Sequence, residues 1–166
     1  MGILNCISTN KTSQTSGTVF NQSILDGLLA LAWDNGNGDA VSDVFVGSVL
    51  KRRISQFSGR TGTQFVIPAG EQQLITTTSG YTSDFGDLQV HLHRYMQKDY
   101  AGSADATGRV LGIVREKFRI AYLIKPYSEI FGRRGSTTDA MVTGSLTLES
   151  LNEKSSVWSD GFLLSA

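Results

Sequence analysis

The chain has 166 residues, 40% of them hydrophobic, and fifteen Lys and Arg against fifteen Asp and Glu leave a formal net charge of zero. A chain of this size buries roughly 68–70% of its unfolded surface, so disorder throughout is excluded, and balanced charge excludes a global field aimed at nucleic acid or an anionic membrane. The single cysteine, Cys6, rules out an internal disulfide framework and a cysteine-rich zinc site, and no apolar run reaches the ~18 residues of a membrane-spanning helix.

The opening MGILNC offers Gly2 for myristoylation but places Cys6 where that signal requires Ser or Thr, so acylation is not expected. Residues 8–18 hold seven Ser and Thr and no large apolar side chain, which reads as a surface loop or a linker ordered on assembly. In 21–36, Ile24, Leu25, Leu28, Leu29, Ala32 and Trp33 recur at the spacing of one helical face. Asn21 or Ser23 can cap that helix, and Asn35 and Gly36 supply left-handed residues to end it. Val44-Phe45-Val46 is a short apolar run of the central-strand kind. A second amphipathic helix opens at Gly47-Ser48, with Val49, Leu50, Ile54 and Phe57 on one side and Lys51, Arg52 and Arg53 on the other, and closes at Ser58-Gly59. From residue 64 the period falls to two. Leu74 to Thr78 is β-rich, Gly80, Asp84 and Gly86 mark a turn, and Leu88, Val90 and Leu92 then alternate with polar residues. The run 110–114 is another apolar strand. Phe118, Ile120, Tyr122 and Ile124 share one face of a strand that Pro126 ends or confines to a sheet edge. Ala140, Val142, Leu146 and Leu148 point inward against Thr143, Ser145, Thr147 and Glu149, a half-buried antiparallel strand. With 19 Ser, 15 Thr and 18 Gly, composition favours strand over helix.

No pattern of catalysis emerges. His91 and His93 lie two apart on a strand and face one way, but a zinc site needs a further ligand, and the histidines read as solvent-facing. No GxSxG elbow exists, and Cys6 lies in the polar lead-in. The acidic loop from Asp34 to Asp39 fails as a calcium loop, with Gly36 at its third position and Phe45 at its twelfth, and is a helix stop. Gly59-Arg60-Thr61-Gly62 lacks the Gly-Lys-Ser/Thr ending of a P-loop. Lys51-Arg52-Arg53, Arg60 and Arg133-Arg134 lack interleaved aromatics, so a solvated face or inter-subunit ion pairs outweigh nucleic-acid contact. Two other readings stay open. One is a small α/β ligand- or nucleic-acid-binding regulatory domain, with helix 48–57 facing an anionic partner. The other is a metal-assisted hydrolase using His91 and His93 with Asp84 or Asp87.

The order of these elements resembles a known family. The stretch ILDGLLALAWDNGNGDAVSDVFVGSVLKRRISQFSGRTGT is similar to the helix–strand–helix of tailed-bacteriophage major capsid proteins of the Hong Kong 97-type fold. YTSDFGDLQVHLHRYM resembles that family's strand–turn–strand, with Ser83-Asp84-Phe85-Gly86 at the turn. The segment from Val110 to Phe162 resembles its closing strands, with Ala121-Tyr122-Leu123 leading to Lys125-Pro126 and a last strand ending at Leu151-Asn152-Glu153-Lys154. The resemblance covers residues 20–162.

It implies an α+β fold: an axial domain with two helices on a mixed sheet, followed by long antiparallel strands. On this reading residues 1–19 are a lead-in, 20–99 the axial domain, and 100–166 the peripheral-domain return strands and tail. Members of that family carry an N-terminal arm, an extended loop and a spine helix ahead of the axial domain, so the chain reads as a C-terminal portion of such a protein or as a divergent relative that lost the arm. The implied role is a non-enzymatic subunit of an icosahedral capsid around packaged DNA, made in the bacterial cytoplasm. It would need no cofactor and no metal, and its partners would be copies of itself in capsomers, with no membrane and no specific nucleic-acid recognition, though this portion alone can be monomeric. Arg52, Arg53, Arg60, Arg133 and Arg134 are then candidates for cross-subunit pairs with Asp34, Asp39, Asp43 or Glu129.

Overall fold

Val44 and Val46 are almost fully shielded from solvent because they sit in β2 (Asp43–Val46), a strand with neighbours on both edges and layers on both faces. In the computed structural model, which describes residues 2–57, 80–98, 107–132 and 135–164, β2 pairs antiparallel with β6 (Thr107–Ile113) and parallel with β4 (Gly86–Leu92). β4 turns back on β3 (Gly80–Ser83) through Asp84-Phe85, with Gly86 at a φ of 126°. On the other side β6 pairs antiparallel with β9 (Val157–Leu163), and β9 pairs parallel with β1 (Lys11–Thr18). The order is β1-β9-β6-β2-β4-β3, with β5 (Gln97–Lys98) as a short addition against β6. The sheet draws strands from both sides of the 99/100 division expected from sequence, so that division does not coincide with a break in the sheet.

Both expected helices are present. Helix α2 (Gln22–Asn35), after the single turn α1 (Ile3–Cys6), buries Leu25, Leu28, Leu29 and Ala32, and α3 (Ser48–Ser55) buries Val49, Leu50 and Ile54. With Val44, Val46, Leu88, Val90, Val110, Val157 and Phe162 all of these but Val49, which clusters with Leu164, form the main core on one face of the sheet. Each fully buried aliphatic or Phe side chain contributes about 1.5–3 kcal/mol, so this interlayer holds the domain together. The second face carries a smaller cluster of Leu111, Ile113 and Trp158 under Ile7 and Met96, with Phe45 and Phe118 at its rim. Asn21 is the N-cap, its Oδ1 accepting from the Ile24 amide at 2.9 Å. The C-terminal cap corrects the expectation: Gly36 has an ordinary φ of −84°, and the left-handed pair is Asn37 (66°) and Gly38 (80°). Gly36 is required by proximity instead, since a Cβ there would lie 2.8 Å from the Ser155 backbone.

Most of the polar segment 8–18, expected as a loop or linker, is strand β1, with residues 8–10 as the turn that leads into it. Its composition could not build a core, but as an edge strand it needs only backbone pairing and local polar anchors. Those anchors are specific. Glu153 accepts from the Ser8 amide (2.9 Å), the Thr9 amide (3.2 Å) and the Thr9 hydroxyl. Asn10 is fully buried and donates from Nδ2 to the carbonyls of Lys154 and Ser156, while its Oδ1 accepts from Asn35 Nδ2 at 2.6 Å. One amide side chain thus joins β1, the end of α2 and the approach to β9.

The long strands β7 (Phe118–Ile130) and β8 (Ala140–Ser150) form a separate two-stranded ribbon between β6 and β9. Pro126 lies within β7 rather than ending it, which a two-stranded ribbon tolerates because every strand is an edge. Gly144 opposite it gives the ring room: a Cβ there would lie 3.2 Å from Pro126 Cα. The inward face expected for β8 is exposed, with Val142 76% and Leu146 60% accessible, because among the described residues no layer lies over it. A register shift after Tyr122 also sets Ile124 opposite Ser145, off the face that Ile120 and Tyr122 share with Leu148 and Leu146. The expected helix stop at Ser58-Gly59 and the β-rich run 74–78 lie outside the described residues.

Partial burial raises the Glu153 carboxyl, but the Thr9 hydroxyl and the Ser8 and Thr9 amides outweigh it and hold the group below its usual value. A depressed carboxylate stabilises the fold above its unfolded pKa of ~4.3, and that contribution disappears as pH falls through the native value. Glu153→Gln is therefore expected to cost about 1 kcal/mol at neutral pH, with the difference in Tm from the parent closing in acid. Thermal melts of both proteins across pH 3–8 check this. Gly161 has a φ of 90°, and a Cβ there would lie 2.4 Å from the Gln14 carbonyl oxygen across the β1–β9 pairing. Gly161→Ala is expected to cost about 1–3 kcal/mol, read by denaturant melts, with loss of amide protection concentrated in β1.

Candidate functional site

The site with the most chemistry lies where the ribbon joins the sheet. Asp43, the first residue of β2, is 2% exposed. Its Oδ1 accepts from His91 Nε2 (2.8 Å) and from Arg115 Nη2, and its Oδ2 accepts from Ser42 Oγ (2.8 Å). Burial raises this carboxyl, but the bonds from Ser42, Arg115 and His91 and the charge of Arg115 outweigh it, so it stays below the usual range. Parallel pairing sets His91 opposite Phe45, and the two rings stack with centroids 5.1 Å apart. Asp39, at the end of the turn after α2, holds Lys117 Nζ at 3.0 Å and Asn152 Nδ2 at 3.3 Å. An open cleft of about 780 Å³ lies beside these groups, lined by Asp39, Asp43, Tyr81, Gln89, Arg115 and Lys117. Tyr81 closes the far wall; burial and a 2.8 Å bond to Asp26 push its phenol up to about 12.

The structure separates the candidate contact residues. Arg52 on α3, Asp34 at the end of α2 and Glu129 at the outer end of β7 are exposed. Arg53 is half-buried. Asp39 and Asp43 are engaged within the chain, by Lys117 and by Arg115 and His91. Arg60, Arg133 and Arg134 lie outside the described residues. Lys51 departs from its expected solvated face: its Nζ donates to the Val90 carbonyl at 2.8 Å, and burial pushes its pKa down.

The histidines separate too. His91, expected to face solvent, belongs to the Asp43 node, whereas His93 lies past the end of β4 and accepts from the Tyr95 amide through Nδ1 at 3.3 Å. Asp84 and Asp87 lie at the opposite end of β4 from His91. Among the described residues no group of three or more His, Cys, Asp or Glu could hold a metal ion, so the metal-hydrolase reading lacks its ligand set. Leu92, read as inward, is 63% exposed because it ends the strand. Arg115, Lys117 and Asn152 carry no sequence signal for the root, since their partners there lie 72 to 116 residues away.

No curated protein matches the chain. A chain from the cryo-EM structure of the holo-SrpI encapsulin complex from Synechococcus elongatus PCC 7942 is similar in structure, with a TM-score of 0.62 and 10% sequence identity. The match covers 99% of this chain and 57% of that one, so the chain spans little more than half of that neighbour's length. At this identity the likeness speaks for the fold, which is the Hong Kong 97-type fold of encapsulins expected from the sequence. The SU10 major capsid protein family matches residues 1–161. With that match running through sheet, ribbon and closing strand alike, the chain belongs to the SU10 major capsid protein family.

Proposed function

We propose that the chain is the sheet-and-ribbon part of a capsid subunit that closes a shell with copies of itself in capsomers, and that it acts by tiling rather than by catalysis. The family match over residues 1–161 carries this reading. The surface supports it. Ile120, Tyr122, Ile130, Val142 and Leu146 are 49–76% exposed on the ribbon, and apolar surface of that extent on a soluble chain marks a face covered in an assembly. Zero net charge lets copies approach without mutual repulsion. On this reading the helix-backed sheet gathers around the capsomer axis, the ribbon reaches to the periphery, and the protein resides in the virion after synthesis in the bacterial cytoplasm.

Arg52, Asp34 and Glu129 are the exposed members of the proposed inter-subunit pairs, with Arg53, Arg60, Arg133 and Arg134 as further cationic candidates. Isolated exposed pairs contribute only about 0–1 kcal/mol each, so their role is register between copies. Asp39 and Asp43 belong instead to the ribbon root.

Sedimentation velocity with negative-stain imaging of the complete capsid protein tests the reading. Fast-sedimenting rings or shells are the expected outcome, and a monomer at every concentration overturns it. Arg52→Glu is expected to lower particle yield while changing fold stability by no more than about 0.5 kcal/mol; unchanged yield removes Arg52 from the contact set.

A further inference from the structure

The ribbon leaves the body of the protein with little apolar attachment. Phe118, at its first position, packs at the rim of the Leu111, Ile113 and Trp158 cluster. Beyond it the ribbon's large apolar side chains, apart from the half-buried Leu148, are exposed, up to 86% at Leu123. Polar bonds therefore do what packing does elsewhere. The entering leg is the 3-10 turn Arg115–Lys117, where Arg115 Nη2 reaches Asp43, the Arg115 amide donates to Ser42 Oγ at 3.0 Å, and Lys117 Nζ reaches Asp39. On the leaving leg Asn152 Nδ2 donates to the same Asp39 oxygen that holds Lys117, and to the Gly36 carbonyl at 3.2 Å. The two legs are tied by the Leu151 amide donating to the Lys117 carbonyl at 2.9 Å.

We infer that Asp39 and Asp43 form a two-point latch that sets the direction in which the β7–β8 ribbon leaves the sheet. Asp39 stands on the short segment between α2 and β2 and Asp43 at the first position of β2, so one stretch of chain grips both legs. Asp43 is anchored from the sheet side by His91 and Ser42, and it holds Arg115, whose side chain is 72% exposed, from within the fold. The cleft bordered by Asp39, Asp43, Arg115 and Lys117 leaves open space on one side of the root, so a ribbon released from the latch has somewhere to swing. Few reversible charged bonds at the base of a lever make a hinge with defined stops rather than a rigid joint. The consequence for a shell, that ribbon direction sets the angle between neighbouring copies, rests on the proposed capsid role; the latch itself does not.

Spin labels at Asp34→Cys and Val142→Cys in a Cys6→Ser background report the distance between body and ribbon by pulsed dipolar spectroscopy. Both positions are exposed and outside the latch. Adding Arg115→Ala with Lys117→Ala cuts both ion pairs from the ribbon side and leaves the core side chains in place. The expected result is a shifted or broadened distance distribution, with amide protection of β2, β4 and β6 unchanged. An unchanged distribution overturns the latch. Loss of sheet protection also overturns it, because these residues would then be holding the sheet and not the ribbon. Asp39→Asn with Asp43→Asn should reproduce the shift from the other side of the same bonds. Particle formation by the complete protein is scored separately: a responsive distance without particles keeps the latch and removes the shell role, and particles with an unresponsive distance do the reverse.

Discussion

A carboxylate buried at the first position of the central strand imposes the constraint from which much of this architecture follows. An uncompensated charge in such a place costs several kcal/mol, so Asp43 must be surrounded by donors, and the fold supplies them from three directions. Ser42 precedes it in the chain, His91 comes from the parallel neighbour β4, and Arg115 comes from the end of β6. Meeting the demand of one side chain ties the start of β2 to His91 of β4 and brings the ribbon root against the sheet. The apolar layers supply the bulk of the stability, and the charged node sets where the ribbon root meets the sheet.

The two halves of the molecule are stabilised differently. The sheet is covered by α2 and α3 on one face and by a thinner cluster on the other, so burial carries it. The ribbon has ladder hydrogen bonds and cross-strand pairs such as Ile120 with Leu148 and Tyr122 with Leu146, but nothing above or below them among the described residues. Two-stranded ribbons on their own are marginal in water. On the proposed shell role such an element is useful: rigid enough to be aimed, with enough apolar surface to favour contact.

What could be read from sequence depended on whether the signal was local. Leu25, Leu28, Leu29 and Ala32, Val49, Leu50 and Ile54, and the run Val44-Phe45-Val46 declared two helices and a central strand because their periodicity comes from burial on one or two faces. Asn21 announced its own cap. Residues 8–18 read as a loop or linker because an edge strand anchored by Glu153 and Asn10 needs no apolar pattern of its own. The alternation in 140–150 revealed an amphipathic strand but not that its apolar face is open, since period reports which residues share a side and not what lies over them. The polar root was invisible: Asp43 and Arg115 have no spacing rule, and His91, noticed as a possible ligand, proved to be a hydrogen-bond partner of Asp43.

The parallel pairing of β1 with β9 has a further consequence in time. Ser13 and Asp160, bonded at 2.6 Å, lie 147 residues apart, so closing this part of the sheet encloses most of the chain in a single loop. Loop-closure entropy rises slowly with length, but contacts of such separation slow folding and reward the chain only after the intervening elements are in place. β1 has its partner in β9, whose other edge is taken by β6. In synthesis β1 is made long before β9, so it has no sheet partner until β9 and the elements between them have followed.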